Sequence, residues 1–415
     1  MRTDPIIFVI GCTGTGKSDL GVAIAKKFGG EVISVDSMQF YRGLDIATNK
    51  ITAEEADGVP HHMMSFLDPS SSAASYNVHQ FRETTLRLVD EIRKRSRIPI
   101  LVGGTTYYAE SILYENNLIE TTMTRTSSES EDDVDDGREE EEEEEEDVRS
   151  NQEIWEELRS VDEKSAMILH PNNRFRVKRA LQIFKETGVP KSALITRQKC
   201  SEHVDLGGRL RFADSLVIYM DASPTVLDAR LDARVDKMLR IGLKTELREF
   251  YDQHKVGESR YGVMQCIGLK EFLPWLRMSP DEQETEKGAE LFRKGCEDVK
   301  LHTRQYARRQ RRWYVQRLLK RADGERKMAS TKMLDTSDKE TIIRNGLEIV
   351  DQWMRGRDLF EEISTDSTLK GEDANILLRC DVCGIQMTGK SAWEKHVVGK
   401  KHKHHLKLAK NAENR

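Results

Sequence analysis

No apolar run in this sequence approaches the roughly 20 residues that a helix needs to cross a bilayer, so an integral membrane protein is not expected. A secretory signal is missing too. Met1–Asp4 leads straight into the apolar stretch Pro5–Ile10, which is too short and wrongly flanked for a signal and reads as a strand. There is no amphipathic, Arg-rich presequence. The expected location is therefore cytoplasmic, with mitochondrial and nuclear pools open to alternative starts. The six cysteines lack regular spacing, which excludes a disulfide framework and fits a reducing compartment. No internal repeat is visible. With those classes set aside, 415 residues that are 33% charged and 37% hydrophobic describe a soluble globular chain of two or three domains.

The net charge of −5 argues at first against a polyanionic partner, because binding one needs a positive surface. Its distribution reverses this. Glu129–Asp147 holds fifteen acidic residues, among them the unbroken run Glu139–Glu146, against one basic residue. The tract carries −14 and the rest of the chain +9. Such a tract repels itself and buries no apolar surface, so residues 119–153 are expected to be an acidic disordered insertion that projects away from bound nucleic acid and is dispensable.

Residues 6–10 (IIFVI), 31–35 (EVISV), 98–102 (IPILV) and 215–220 (SLVIYM) are short apolar runs rich in β-branched side chains, the pattern of buried parallel strands. Helical patterns lie between them. In Lys17–Phe28, Leu20, Ile24 and Phe28 share a face and Gly29-Gly30 stops the helix. The alternation predicts an α/β fold, a doubly wound parallel sheet. The core is expected in two parts, 1–118 and 206–325, the second with basic helices, and a helical subdomain over 154–205 is inserted between them. Residues 326–375 read as a linker or helical connection, and 376–410 as a small basic unit.

Between the first strand and the first helix, Gly11-Cys12-Thr13-Gly14-Thr15-Gly16-Lys17-Ser18 fits G-x-x-x-x-G-K-[ST], the P-loop pattern. Glycines let the backbone fold into a nest of N–H donors, and the helix N-terminus adds positive potential. Lys17 brings a point charge and Ser18 a hydroxyl able to hold Mg²⁺. The loop binds a polyphosphate, and the motif leaves open whether that is a nucleotide or another diphosphate. ATP hydrolysis needs a second strand ending in an Asp that reaches the metal, whereas Ile98–Val102 runs into Gly103-Gly104-Thr105, and Asp221 is the possible substitute. The second strand ends in Val35-Asp36-Ser37-Met38-Gln39, at the edge where open α/β sheets bind ligands. There Asp36 either takes a proton from a nucleophile attacking near the diphosphate or caps the next turn, and Ser37 and Gln39 are placed to read a base edge.

Two features point to RNA. Thr303–Arg321 carries eight basic residues, Arg304 and Arg308 among them, with no acid and with Tyr306, Trp313 and Tyr314 interleaved. That composition suits phosphates and stacked bases, and its alternative is a solvated basic helix face. Cys380-x2-Cys383-x12-His396-x5-His402 has the spacing of a C2H2 zinc finger, in which four ligands close the shell of a structural Zn²⁺. Lys395, Lys400, Lys401, Lys403 and Lys407 around it favour RNA, with protein binding as the alternative.

Eight stretches together carry a family resemblance: GCTGTGKS at 11–18, VDSMQFYRGLDIATNK at 35–50, PHHMMSFLDP at 60–69, VGGTTYY at 102–108, NRFRVKRAL at 173–181, RLDARVDKML at 230–239, MQCIGLKEF at 264–272 and TRQYARRQRRW at 303–313. Over nearly its whole length the chain resembles the tRNA dimethylallyltransferases, or tRNA isopentenyltransferases, of the eukaryotic type with a C-terminal finger. The resemblance implies transfer of a dimethylallyl group from dimethylallyl diphosphate to N6 of the adenine 3′ of the tRNA anticodon, giving N6-isopentenyladenosine. It implies that Gly11, Thr13, Gly14, Thr15, Gly16, Lys17 and Ser18 hold the diphosphate with Mg²⁺, that Asp36 is the general base, and that Arg234 neutralises the leaving group. Ser37, Met38, Gln39 and Thr105 would grip the flipped adenine or its neighbours, and Arg176 and Arg179 would meet tRNA from the inserted subdomain. A monomer is expected. Cys12 and Cys266 depart from the family pattern, which has Thr and Ser there. Two rival readings are a phosphate-loop kinase of a nucleotide or nucleoside with an added finger, and an RNA-binding protein that retains a fossil enzyme fold. The joint presence of Asp36, Thr13 and Lys17 speaks against the second.

Overall fold

The structure, a computed structural model, describes residues 2–69, 76–115, 149–200, 209–254, 262–315, 329–359, 377–380, 382–383, 386–388, 390–399 and 402–406. The apolar runs become strands: β1 (Ile6–Gly11), β2 (Gly30–Val35), β4 (Ile98–Gly103) and β5 (Ser215–Asp221), with two short additions at the edges, β3 (His61–His62) and β6 (Ser330–Asp335). Their order is β3-β2-β4-β1-β5-β6, and every described pair is parallel. Side chains alternate between two cores, as the strand period of two requires. Ile6, Phe8 and Ile10 join Ile33, Leu101 and Val217 beneath helices α3 (Val78–Lys94) and α4 (Thr106–Leu113). Ile7 and Val9 join Ile100, Ile218 and Met220 on the opposite face, beneath α1 (Lys17–Phe28) and α14 (Ile342–Met354). Burial on both faces explains why β1 and β4 read as near-continuous apolar runs, while β2 buries Glu31 and Ser34 among its apolar residues.

Within 326–375, expected as a linker or helical connection, lie a strand and a helix that belong to the sheet. Ser330–Asp335 is the sixth strand, paired with β5, and α14 packs through Ile342, Val350 and Trp353 onto the sheet and α1. At this edge only Ser330, Thr331 and Leu334 are buried, and two of the three are small and polar, so STKMLD resembles a polar connection in sequence. After β5 the chain forms α9 (Pro224–Arg240), α10 (Leu243–His254), the single turns α11 (Leu273–Leu276) and α12 (Pro280–Gln283), and the 29-residue α13 (Glu286–Tyr314). With the segment after β2, which includes the short α2 (Ala53–Ala56), they enclose a third core around Leu247, Phe272 and Trp275.

A second unit holds α5 (Asn151–Val161), α6 (Glu163–Ile168), α7 (Arg174–Thr187) and α8 (Lys191–Cys200). The helical subdomain was expected to start at 154; it starts at 151 because Ser150 and Glu153 form a capping box. Asp162, buried between α5 and α6, accepts from Ser165 N–H and Oγ at 3.1 and 2.6 Å and from Ser192 N–H and Oγ at 2.9 and 2.5 Å, which fixes the start of α8. The finger, assigned to the same unit, consists of the hairpin β7 (Leu377–Arg379) and β8 (Gln386–Thr388) and helix α15 (Lys390–Val398). The expected acidic insertion lies outside the described residues apart from its last positions. No described helix is long and apolar enough to cross a membrane.

Candidate active site

The connections after β1, β2, β4 and β5 all leave the carboxyl edge of the sheet, so their residues converge there. The glycine loop after β1 is shaped by two left-handed glycines, Gly14 at φ 81° and Gly16 at φ 84°, a conformation that strains any other side chain. Lys17 Nζ and Thr15 Oγ1 both donate to the Cys12 carbonyl, at 2.7 and 2.8 Å. Burial, set partly against the charge of Asp36, pulls the Lys17 ammonium down to about 8. A desolvated cation of this kind is stabilised by an arriving anion. Ser18 follows at the start of α1, partly exposed. Cys12 is buried, donates to Ala307 O at 3.3 Å and is pushed up to about 11, chiefly by burial, so it is a neutral packing group.

Thr13 is gripped from two helices. Arg234 of α9 donates from Nη1 to Thr13 Oγ1 at 2.8 Å, and the Thr13 N–H donates to Gln310 Oε1 of α13 at 2.9 Å. Asp36 ends β2 and caps the short 3-10 turn Ser37–Phe40, accepting the Met38 N–H at 3.1 Å. The two sequence readings of Asp36 are compatible, since one carboxylate oxygen holds the turn while the group also faces two cations. Burial raises the Asp36 pKa; the Met38 N–H and the charges of Lys17 and Arg234 pull it back. Burial likewise lowers that of Arg234, opposed by Asp36.

The structure brings Ser37, Met38, Gln39 and Thr105 together: Thr105 Oγ1 accepts the Ser37 N–H at 3.4 Å, and the other three form the turn. The Gln39 amide is tied within the protein, accepting from Ser34 Oγ at 2.7 Å and donating to Thr48 O and Asn49 O at 3.2 and 3.3 Å. Arg176 and Arg179 lie on α7 in the second unit.

Three contributors escaped sequence reading. Glu246 of α10 accepts the Ile46 and Ala47 N–H groups at 2.7 and 2.9 Å, and Lys50 donates to Gly43 O and Ser65 Oγ, both at 2.9 Å, so both anchor the segment after the Asp36 turn. Gln310 stands inside TRQYARRQRRW, where its charged neighbours hid it. The basic run itself needs a correction. It has no acid of its own, but its neighbours supply counter-charges: from α9, Asp228 meets Arg308 at 3.0 Å and Asp232 contacts Arg304; from the end of β5, Asp221 holds Arg311 at 2.6 and 2.7 Å; and just ahead of the run Asp236 of α9 meets Lys300 at 3.0 Å. That bidentate pair also occupies Asp221, the carboxylate an ATPase reading would need for its metal.

In the finger, Cys380, Cys383, His396 and His402 bring one ligand atom each to within 4.8 Å of all the others. His402 Nδ1 lies 3.4 Å from both sulfurs and 3.2 Å from His396 Nε2. Two thiols and two imidazoles so close, with Cys380 and His402 buried, fit the four-ligand shell of structural zinc.

Fold and site define an enzyme built on a parallel α/β sheet, with a glycine loop and the Asp36 carboxylate at the same sheet edge and with a C2H2 zinc finger. A family model described as IPP transferase matches residues 39–317, and one described as a zinc finger of C2H2 type matches 378–402. The tRNA dimethylallyltransferase of Mus musculus is 36% identical over 98% of this chain and 86% of its own, and that of Saccharomyces cerevisiae 32% over 97% and 92%. A solved eukaryotic dimethylallyltransferase acting on tRNA superimposes with a TM-score of 0.77 at 29% identity, covering 99% of this chain and 98% of that one. The chain belongs to the IPP transferase family.

Proposed function

We propose that the protein transfers a dimethylallyl group from dimethylallyl diphosphate to N6 of the adenine 3′ of the tRNA anticodon. The observation that carries this reading is the convergence, at one sheet edge, of the Asp36 carboxylate and two cations that act on its charge, Lys17 and Arg234, each bonded to the glycine loop. An allylic carbon bonded to diphosphate ionises readily, so its transfer depends more on stabilising the leaving group than on a strong nucleophile. The loop N–H groups, Lys17, Arg234 and Thr13 provide that. The Ser18 hydroxyl would hold Mg²⁺, which would supply further positive charge at the leaving group. The adenine amine is a weak nucleophile because its lone pair is delocalised, and Asp36 accepts its proton as the new C–N bond forms. The base must leave its stack to reach the site, which costs least in a loop such as the anticodon.

In this reading Ser37, Met38, Gln39 and Thr105 frame the adenine, Arg176, Arg179 and Arg308 meet tRNA phosphates, Arg304 serves chiefly the α9–α13 contact, and the finger adds a further RNA contact. The protein acts as a monomer in the cytoplasm, with mitochondrial and nuclear pools. Its test follows label from either dimethylallyl diphosphate or ATP into tRNA in the presence of Mg²⁺. Transfer from the first alone is expected; transfer from ATP, or none at all, overturns the proposal.

A further inference from the structure

Gln310 sits on the buried face of α13, 4% exposed, with both ends of its amide in use. Oε1 accepts the Thr13 N–H at 2.9 Å and Nε2 donates to the Gly104 carbonyl at 2.9 Å. Each contact leads to a reacting group. On one side Thr13 Oγ1 accepts from Arg234 at 2.8 Å. On the other, Thr105 follows Gly104: its N–H donates to Val35 O at 3.1 Å and its Oγ1 accepts the Ser37 N–H at 3.4 Å, so both neighbours of Asp36 are held.

A carboxamide suits this place because the two loops need one acceptor and one donor, and it offers both on a planar group. The fit is close, since a Cβ on Gly104 would lie 2.3 Å from Gln310 Nε2. The amide cannot drift with its helix either. Asp228, Asp232 and Asp236 on α9 face Arg308, Arg304 and Lys300 on α13, one turn apart on each, so the two helices that reach Thr13 are tied along their length.

We propose that Gln310 is a positioning residue for the transfer reaction: its side chain sets the glycine loop, which receives the leaving diphosphate, relative to the Asp36 turn, which receives the proton. The inference rests on the transfer reading and deepens it. Gln310 acts through Thr13 and Gly104, so its loss misplaces the reacting groups and leaves RNA contacts intact. A glutamate there keeps the acceptor for Thr13 but turns a second oxygen on the Gly104 carbonyl; once protonated, it donates and resembles the amide.

The test measures steady-state transfer and tRNA affinity for the full-length wild type, Gln310→Leu, Gln310→Glu, Gly104→Ala and the Gln310→Leu/Gly104→Ala double variant. Gln310→Leu is expected to lose about 10- to 100-fold in kcat, with tRNA Kd within about twofold. The rate of Gln310→Glu relative to wild type should rise at least about fivefold between pH 8 and pH 6, as a buried carboxyl takes up its proton. Gly104→Ala should lower kcat by displacing the amide from its other end, and the double variant should be little worse than Gln310→Leu alone. Wild-type kcat in Gln310→Leu or Gly104→Ala, a flat pH ratio for Gln310→Glu, or a matching loss of tRNA affinity overturns the inference. Should Gln310→Leu fail to fold, Gly104→Ala and Gln310→Glu decide alone. A wild type inert toward dimethylallyl diphosphate would instead remove the transfer reading itself.

Discussion

Lys17 and Asp36 are moved in opposite directions by the same cause, burial, which disfavours charge on either. If Asp36 is the base of the proposed transfer, its raised pKa limits the rate from the acid side. The kcat should fall as pH is lowered, with the midpoint above the ordinary carboxylate range, and Asp36→Asn should remove that acid limb while lowering kcat by about 10²–10⁴-fold, with tRNA binding retained. For Lys17 the consequence concerns stability. A cation whose pKa drops on folding from 10.5 to about 8 contributes stability that is full above 10.5 and lost as pH falls toward 8. Lys17→Met should therefore lose transfer, and its Tm relative to wild type should be higher at pH 7 than at pH 10.5. A thermal melt series at the two values checks the sign.

Elements set which charges are left to meet RNA. Arg304 and Arg308 stand one turn apart on α13 and both pair with α9, yet their side chains are 24% and 63% exposed. The less exposed member belongs chiefly to the helix interface and the exposed one to solvent, where an ion pair is worth little and a phosphate competes easily. Arg304→Ala is expected to lower stability by about 1 kcal/mol with a small change in tRNA affinity. Arg308→Ala should leave Tm nearly unchanged and reduce the salt dependence of tRNA binding by about one counterion. Equal effects of both on binding would contradict this division. The finger is a second case in which an element depends on one interaction. Its strands are three residues each and its helix nine, too little to fold without metal. Cys380→Ser or a chelator should unfold residues 377–406 and weaken tRNA binding, with kcat at saturating tRNA unchanged.

At the scale of the whole molecule, a chain of net −5 handles a polyanion because its negative charge is segregated. Deleting Glu129–Asp147 removes −14 and leaves +9. If the tract projects away from the RNA, tRNA Kd should change by less than about twofold at physiological salt, where screening acts within about 8 Å. A large gain or loss in a filter-binding titration would place the tract beside the RNA instead.

What the sequence settled by itself were features made of neighbours in the chain. Strands β1, β2, β4 and β5 could be read because burial on both faces favours short apolar runs rich in β-branched residues, the glycine loop because its conformation demands glycines at fixed offsets, and the finger because its ligands follow a fixed spacing. What tertiary structure alone decided were contacts between residues far apart: Gln310 against Thr13 and Gly104, α9 carboxylates against α13 cations, and β6 and α14 completing the sheet. A buried amide among arginines has no periodic signature, and an edge strand needs too few apolar residues to show one. Their positions follow from the packing of the sheet and its helices, which fixes distance in space where the chain fixes only order.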